Sequence, residues 1–133
     1  MAQQKIITIV GGTGFLGRYV VRQLARAGYR IQVVSRNPGE ALALKPAGDV
    51  GQIVSIPGNI IDPAPLQAAI ARSWAVVNLT GILFESGRQT FTAIHAQGPE
   101  KLAQMAAAAG VTRFVHISAL GVDKATASRY ARS

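Results

Sequence analysis

One short stretch limits what this chain can fold into: Val10-Gly11-Gly12-Thr13-Gly14-Phe15-Leu16-Gly17. An apolar run, Ile6 to Val10, precedes it and reads as a buried strand. A helix-period run from Phe15 to Ala27 follows. The glycines fit both G-x-x-G-x-x-G, at 11, 14 and 17, and G-x-G-x-x-G, at 12, 14 and 17. Strand, glycine turn and helix in that order form a cradle for a dinucleotide. Gly11 or Gly12 allows the tight turn, because no Cβ blocks unusual φ/ψ values. Gly14 lets the backbone approach a pyrophosphate, and Gly17 lets the helix pack closely on the strand. The free N–H groups and positive dipole end of the helix then face the phosphates. The bland alternative is a glycine-rich turn with no ligand.

The rest of the chain repeats the β–α alternation. Lys5–Val10 is predicted as the first strand and Phe15–Ala27 as the first helix, with Leu16, Val20, Val21 and Leu24 on its buried side. Gly28 supplies a left-handed stop. Ile31–Ser35 is the second strand, Asn37-Pro38-Gly39 a turn, and Ala41–Leu44 a short helix. Gln52–Ile56 is the third strand. Asp62 is placed as an N-cap with Pro63 at the first helical position of a helix reaching Arg72. Ala75–Leu79 is the fourth strand. From Arg88 to Ala109, Phe91, Ile94, Gly98, Leu102, Met105 and Ala109 recur at three- and four-residue steps. Pro99 either kinks this helix or opens a new one. Gly110 ends it, Arg113–Ser118 is the fifth strand, and a last helix begins near Thr126. Such alternation implies an α/β fold: a doubly wound parallel sheet of Rossmann type, strand order 3-2-1-4-5, with right-handed crossovers and helices on both faces. The ligand crevice then opens at the carboxyl ends of strands one and four.

Length allows one domain, residues 1–133, with a real core and no second domain. With 49% apolar and 15% charged residues the chain is globular and not disordered. No apolar run reaches the roughly 18 residues of a membrane span. The first strand starts so near Met1 that no signal or transit peptide is expected. Without cysteine there is no disulfide framework or thiolate metal site, and with only His95 and His116 no metal site is expected. These features fit a cytoplasmic protein. The net charge of +8 favours anionic partners: nucleotide, acidic lipid or an acidic protein face. Nucleic acid is not among the expected partners, for no recognition-motif pattern accompanies the charge. Arg18, Arg22 and Arg26, spaced by four, read as a solvated helix face.

The second strand decides between dinucleotides. A carboxylate for the ribose 2′-hydroxyl of NAD belongs at its end, about 20 residues beyond the glycines. This chain has Val34-Ser35-Arg36-Asn37 there. Arg36 offers a fork of donors matched to a 2′-phosphate and Ser35 a small hydroxyl. NADP(H) is therefore expected over NAD, and Arg18 stands ready as a second positive group.

The glycine stretch, Gly58-Asn59-Ile60, Asn78-Leu79-Thr80-Gly81 and Ala109 through Ser118 together resemble the short-chain dehydrogenase/reductases of extended or atypical type, the NAD-dependent epimerase/dehydratase-like proteins. Asn78 through Phe84, His95-Ala96-Gln97-Gly98, Ser118-Ala119-Leu120-Gly121 and Ser128 through Ser133 resemble a narrower branch. That branch contains the NADPH-binding accessory subunit of respiratory complex I and its bacterial relatives. The resemblance covers the whole chain. It implies that Gly11, Thr13, Gly14, Phe15, Leu16, Gly17, Ser35 and Arg36 hold the cofactor. It also implies that Asn59 and Ile60 lie at the adenine, where such proteins usually have Asp in place of Asn59. Leu79, Thr80 and Gly81 would lie near the nicotinamide ribose, and Ser118 at the end of the fifth strand. His95 stands where extended members often have Asn and reads as a core or helix-surface residue; His116 reads as structural.

In catalytic members Ser works with a Tyr-x-x-x-Lys pair, the lysine lowering the pKa of the phenol that exchanges a proton during hydride transfer. Ser118 and Tyr130 match the first two, and the lysine would fall one residue beyond Ser133. Family members continue into a substrate-binding region, so the chain resembles their N-terminal part. Three functions stay open. One is a non-catalytic or weakly catalytic NADP(H)-binding accessory subunit of complex I, peripheral on the inner face of the energy-transducing membrane, docked on complex I subunits or an acidic membrane surface. Another is an active NADP-dependent oxidoreductase or epimerase. The third is a nucleotide-sensing scaffold.

Overall fold

The computed structural model describes residues 5–11, 14–36, 39, 44–49, 51–80 and 92–117. Five parallel strands make one sheet: β1 (Ile6–Val10), β2 (Arg30–Ser35), β3 (Ile53–Pro57), β4 (Ala75–Asn78) and β5 (Arg113–His116). Their order is β3-β2-β1-β4-β5, as the alternation predicts. Ile7 of β1 aligns with Ile31 of β2 and Ala75 of β4, and Val77 of β4 aligns with Val115 of β5. The helices are α1 (Phe15–Arg26), α2 (Pro63–Ala71) and α3 (Gly98–Ala108).

Because side chains alternate across a strand, each face of the sheet builds its own core. Ile7, Ile9, Ile31, Val33, Ile53 and Ala75 point to one face and pack with Val21 and Ala25 of α1. Val10, Val34 and Val76 point to the other, against Leu66 and Ile70 of α2 and Leu102 and Ala106 of α3. This double burial is why β1 is aliphatic at every position but Thr8, which is itself buried and bonded to Gln32. The far end of the sheet is less covered: Val115 and Ile117 are 50% and 43% exposed.

Two glutamines tie helix ends to the sheet. Gln52 donates from Nε2 to Ala25 O (2.6 Å) and Tyr29 O (2.9 Å), while its Oε1 accepts from the Asp49 backbone N–H (2.8 Å). Gln32, buried in β2, donates to Thr8 Oγ1 (2.9 Å) and to Ala69 O (3.0 Å). Ala25 and Ala69 stand in the last turns of α1 and α2, where carbonyls lack helical partners. At the amino edge of the sheet, Trp74 stacks on Tyr29 and carries Lys5 Nζ at 4.5 Å and Arg113 Cζ at 4.2 Å from its ring centre.

The helix stops follow expectation. Gly28 (φ +94°) and Gly110 (φ +77°) take the left-handed conformation after α1 and α3. Gly28 N–H bonds Ala25 O, Tyr29 N–H bonds Leu24 O, and Val111 N–H bonds Ala106 O. Other details differ. Strand ends shift by one or two residues, β5 stopping at His116 and β4 at Asn78. Asp62 does occupy the N-cap of α2, but without a side-chain cap hydrogen bond. A short 3₁₀ turn at Lys45–Ala47 follows Leu44, whereas residues 41–43 of the expected helix lie outside the described residues. The expected helix near Thr126 also lies outside them. The alternatives at Pro99 are resolved by a π-helical segment, Thr92–Gln97, running into α3 with Pro99 in its first turn. Gly98 lets this junction press on the sheet's neighbour loop: a Cβ would lie 2.7 Å from Ala93 O and 2.9 Å from Ile60 Cγ1.

Candidate functional site: the crevice at the carboxyl ends of the strands

The loops leaving β1, β2, β3 and β4 are stitched together at one end of the sheet. Gly11 N–H donates to Val34 O (3.3 Å), Gly58 N–H to Ser35 O (2.9 Å) and Leu79 N–H to Val10 O (2.8 Å). Gly11 has φ +87°, and a Cβ there would lie 2.9 Å from both Leu79 C and Thr80 N. The turn after β1 therefore lies against the chain leaving β4, which only glycine permits in that conformation. Gly17 is buried with Val21 and Ala25, one turn apart along α1, so the third glycine faces the sheet. Gly14 is different. It is exposed extended backbone (φ −73°), and among the described residues its Cβ would meet only Gly11 O, at an ordinary 3.6 Å. The fold itself would accept a methyl group at 14.

Gly14 is the N-cap of α1, without a side-chain cap and with no acid in the first turn. The first helical bond runs from Arg18 N–H to Gly14 O (3.1 Å). The N–H groups of Phe15, Leu16 and Gly17 precede it and lack helical partners, which makes this end attractive to anions. Phe15 is 83% exposed and stands edge-on to Tyr19 at 5.5 Å. Leu16, expected on the buried side, is 45% exposed. Ser35 is buried at the end of β2 and Arg36 is exposed beside it.

After β3, Asn59 and Asp62 form an isolated antiparallel bridge. Asn59 Oδ1 accepts from Ile61 N–H (3.2 Å), and Asp62 N–H donates to Asn59 O (2.9 Å). Ile60 is 3% exposed and its side chain belongs to the core. Beside this turn a recess of about 240 Å³ is lined by Ile61, Ala93, Gln97, Gly98 and Lys101.

The loop after β4 hangs on a residue whose role the sequence does not announce. Asn78 is fully buried. Its Oδ1 accepts from Thr80 N–H (3.2 Å) and from Thr80 Oγ1–H (2.7 Å). That orients the amide so that Nδ2 donates to His116 Nδ1 (3.0 Å), leaving the neutral ring's proton on Nε2. Asn78 O accepts from Ile117 N–H as well (3.1 Å). One side chain thus positions Thr80 and joins β4 to the end of β5. The motif Asn78-Leu79-Thr80-Gly81 is visible in the sequence as a block, but its long-range partner His116 is not.

The structure thus brings together Gly11, Gly14, Phe15, Leu16, Gly17, Ser35, Arg36, Asn59, Ile60, Leu79 and Thr80 on one rim. Thr13, Gly81, Ser118 and Tyr130 lie outside the described residues, as does the His95 side chain. Among the described residues no group of three or more His, Asp or Glu could hold a metal ion, and no helix is long and apolar enough to cross a membrane.

A family model described as NAD(P)H-binding matches residues 11–133. The chain belongs to this NAD(P)H-binding family. It is homologous to complex I subunits: 35% identical to the mitochondrial NADH dehydrogenase [ubiquinone] 1 alpha subcomplex subunit 9 of Arabidopsis thaliana, over 96% of this chain and 32% of that protein. It is 33% identical to the mitochondrial NADH-ubiquinone oxidoreductase 40 kDa subunit of Neurospora crassa, over 87% of this chain and 31% of that one. A ceramide reductase of Caulobacter vibrioides is 30% identical over 96% of this chain and 39% of its own length. The chain therefore spans about a third of the length of these relatives. Among solved structures, a short-chain dehydrogenase/reductase superfamily protein of Agrobacterium tumefaciens with bound NAD superposes with a TM-score of 0.70 at 27% identity, covering 88% of this chain and 33% of that one. A short-chain dehydrogenase/reductase of Serratia marcescens, in a double variant, reaches 0.80 at 22% identity, over 98% and 62%, and shows the fold alone. A nicotinamide dinucleotide is thus the cofactor class of this crevice.

Proposed function

We propose that the chain holds NADP(H) across the crevice and serves as an accessory module of respiratory complex I, non-catalytic or weakly catalytic. The observation that carries the nucleotide assignment is Gly14. Nothing among the described residues demands glycine there, yet it stands where the free N–H groups of α1 begin. A pyrophosphate approaching those donors is what excludes a side chain. In this reading Thr13 and Gly14 to Gly17 hold the phosphates. Arg36 takes the 2′-phosphate beside Ser35, Asn59 and Ile60 border the adenine, and Leu79, Thr80 and Gly81 border the nicotinamide ribose. When bound, the nicotinamide supplies hydride chemistry; the chain's own part is to bind and orient it. A nucleotide that binds only the native state also stabilises it. Homology to the two complex I subunits supports docking on complex I. The net charge of +8 suits an acidic protein face or the anionic inner surface of the energy-transducing membrane.

A second reading, an active NADP-dependent oxidoreductase, is favoured by the likeness to a ceramide reductase. Ser118 and Tyr130 are its candidates for proton exchange, with a lysine supplied beyond Ser133. Calorimetric titration with NADPH and NADH tests the nucleotide assignment. NADPH is expected to bind at least tenfold tighter, about 1.4 kcal/mol. Arg36→Ala should erase that preference and leave NADH binding nearly unchanged. Equal affinities in the unchanged chain would remove Arg36 from the site. Steady oxidation of NADPH with an aldehyde or ketone panel would favour the second reading over the first.

A further inference from the structure

We infer that His116 is a positioning residue for the nucleotide crevice: through Asn78 its neutral ring holds the β4 loop in the form that accepts the dinucleotide, and its protonation loosens that loop and weakens binding. This rests on the nucleotide reading above and adds to it a residue of β5 and a dependence on pH.

Both limbs of the Asn78 amide are committed. Oδ1 accepts from the Thr80 backbone N–H (3.2 Å) and from Thr80 Oγ1–H (2.7 Å), and Nδ2 lies 3.0 Å from His116 Nδ1. A backbone N–H can only donate, so the oxygen limb belongs at Thr80 and the nitrogen limb at His116. His116 Nδ1 is then an acceptor, which only the neutral ring provides.

This junction touches the glycine turn. A Cβ on Gly11 would lie 2.9 Å from Leu79 C and Thr80 N, so the peptide group held by Asn78 Oδ1 is the one pressed on the turn after β1. Backbone bonds, from Leu79 N–H to Val10 O (2.8 Å) and from Ile117 N–H to Asn78 O (3.1 Å), tie the strand ends together. The Asn78 side chain sets Thr80 itself.

A proton on Nδ1 turns the acceptor into a donor, and two donors cannot share a 3.0 Å contact. The amide cannot invert to offer its oxygen, for Nδ2 would then meet the Thr80 N–H. The exposed ring can turn out to water, but Asn78 is fully buried and its nitrogen limb then loses this acceptor. In each case the amide is released, and the dinucleotide has to order Thr80 as it binds, which lowers affinity. Affinity is therefore full where the imidazole is neutral and falls as pH drops through the range in which imidazoles take up a proton, roughly pH 8 to 5. On the elements packed against β5, β4 carries no ionisable side chain and α3 carries Glu100 and Lys101, both exposed. On β5 itself, Arg113 stands over Trp74 at the other end of the strand.

The test is a calorimetric titration with NADP⁺, at about pH 8 and about pH 5.5, of the full chain, His116→Asn and His116→Leu. An asparagine Oδ1 can stand where Nδ1 stands and accept from Asn78 without titrating, whereas leucine removes the acceptor. The 2′-phosphate titrates in the same range, but alike in all three chains. Between the two pH values the unchanged chain is expected to lose about threefold more affinity than His116→Asn, and at the higher pH His116→Leu to bind about threefold or more weaker than the unchanged chain. Thermal melts at both pH values confine the comparison to folded protein. If His116→Leu fails to fold, the comparison with His116→Asn decides alone. Parallel losses in the unchanged chain and His116→Asn, or full affinity in a folded His116→Leu chain, overturn the inference and leave the nucleotide reading intact. Absence of binding by the unchanged chain at the higher pH removes the nucleotide reading and the inference with it.

Discussion

Replacing Gly11 by alanine should be far more damaging than replacing Gly28, although both have positive φ. Gly28 has φ +94° and open space, with nothing within 4 Å, where a methyl group would stand; Gly11 has φ +87° and backbone atoms of Leu79 and Thr80 at 2.9 Å. An alanine in the left-handed region costs about 1–2 kcal/mol. Part is returned by the smaller entropy of the unfolded chain, about 0.4–1 kcal/mol. Gly28→Ala should thus lose about 1 kcal/mol. Gly11→Ala adds overpacking against the Leu79–Thr80 peptide group, which no rotamer change can relieve, a further 1–3 kcal/mol or so. Its total is about 2–4 kcal/mol. For a chain of this size 1 kcal/mol moves the melting midpoint by roughly 3–5 °C. The two variants should therefore separate by about 5–10 °C, with unchanged denaturant m-values. Equal midpoints would refute the close approach of the β1 turn to the β4 loop, and with it the shape of the crevice.

Gln52→Leu takes one of two donors from Ala25 O, the side-chain donor from Tyr29 O and the acceptor from the Asp49 N–H, and should cost about 1–3 kcal/mol in urea unfolding. Asn78→Ala removes the acceptor for Thr80 and the tie to His116; a loss of about 1–3 kcal/mol is expected in the same assay, together with weaker NADPH binding by calorimetry. Unaltered binding in a destabilised Asn78→Ala chain would take the β4 loop out of the nucleotide site.

The parts of the fold that are legible in the sequence share one property: their signal is local. Ile6 to Val10 is aliphatic but for the buried Thr8 because both faces of β1 are covered, and Gly28 and Gly110 end helices because only glycine accepts the left-handed cap at little cost. The strand order follows from β–α alternation and the hand of crossovers. Periodicity puts Leu16 on the buried side, yet it is 45% exposed while its neighbour Gly17 is buried. The roles of Gln52, Gln32 and Asn78 rest on partners 23 to 38 residues away, and no periodicity encodes such a bond. Gly98-Pro99 foreshadows the π-helical junction, but the crowding of Gly98 against Ile60 depends on tertiary packing. At the site, the three-glycine spacing locates the turn, whereas the difference among its glycines is visible only in three dimensions. Gly11 is held by the protein, Gly17 is buried against the sheet, and Gly14 is required by neither.

That difference provides the most direct test. Gly14→Ala should leave the melting midpoint of the unliganded chain unchanged, since among the described residues its Cβ makes only an ordinary contact with Gly11 O at 3.6 Å. The measurement is the affinity of Gly14→Ala for NADPH by calorimetry, beside that of the unchanged chain. A loss of about tenfold or more at equal stability is the predicted result. Undiminished affinity at equal stability would contradict the claim that the phosphates lie on the amino end of α1.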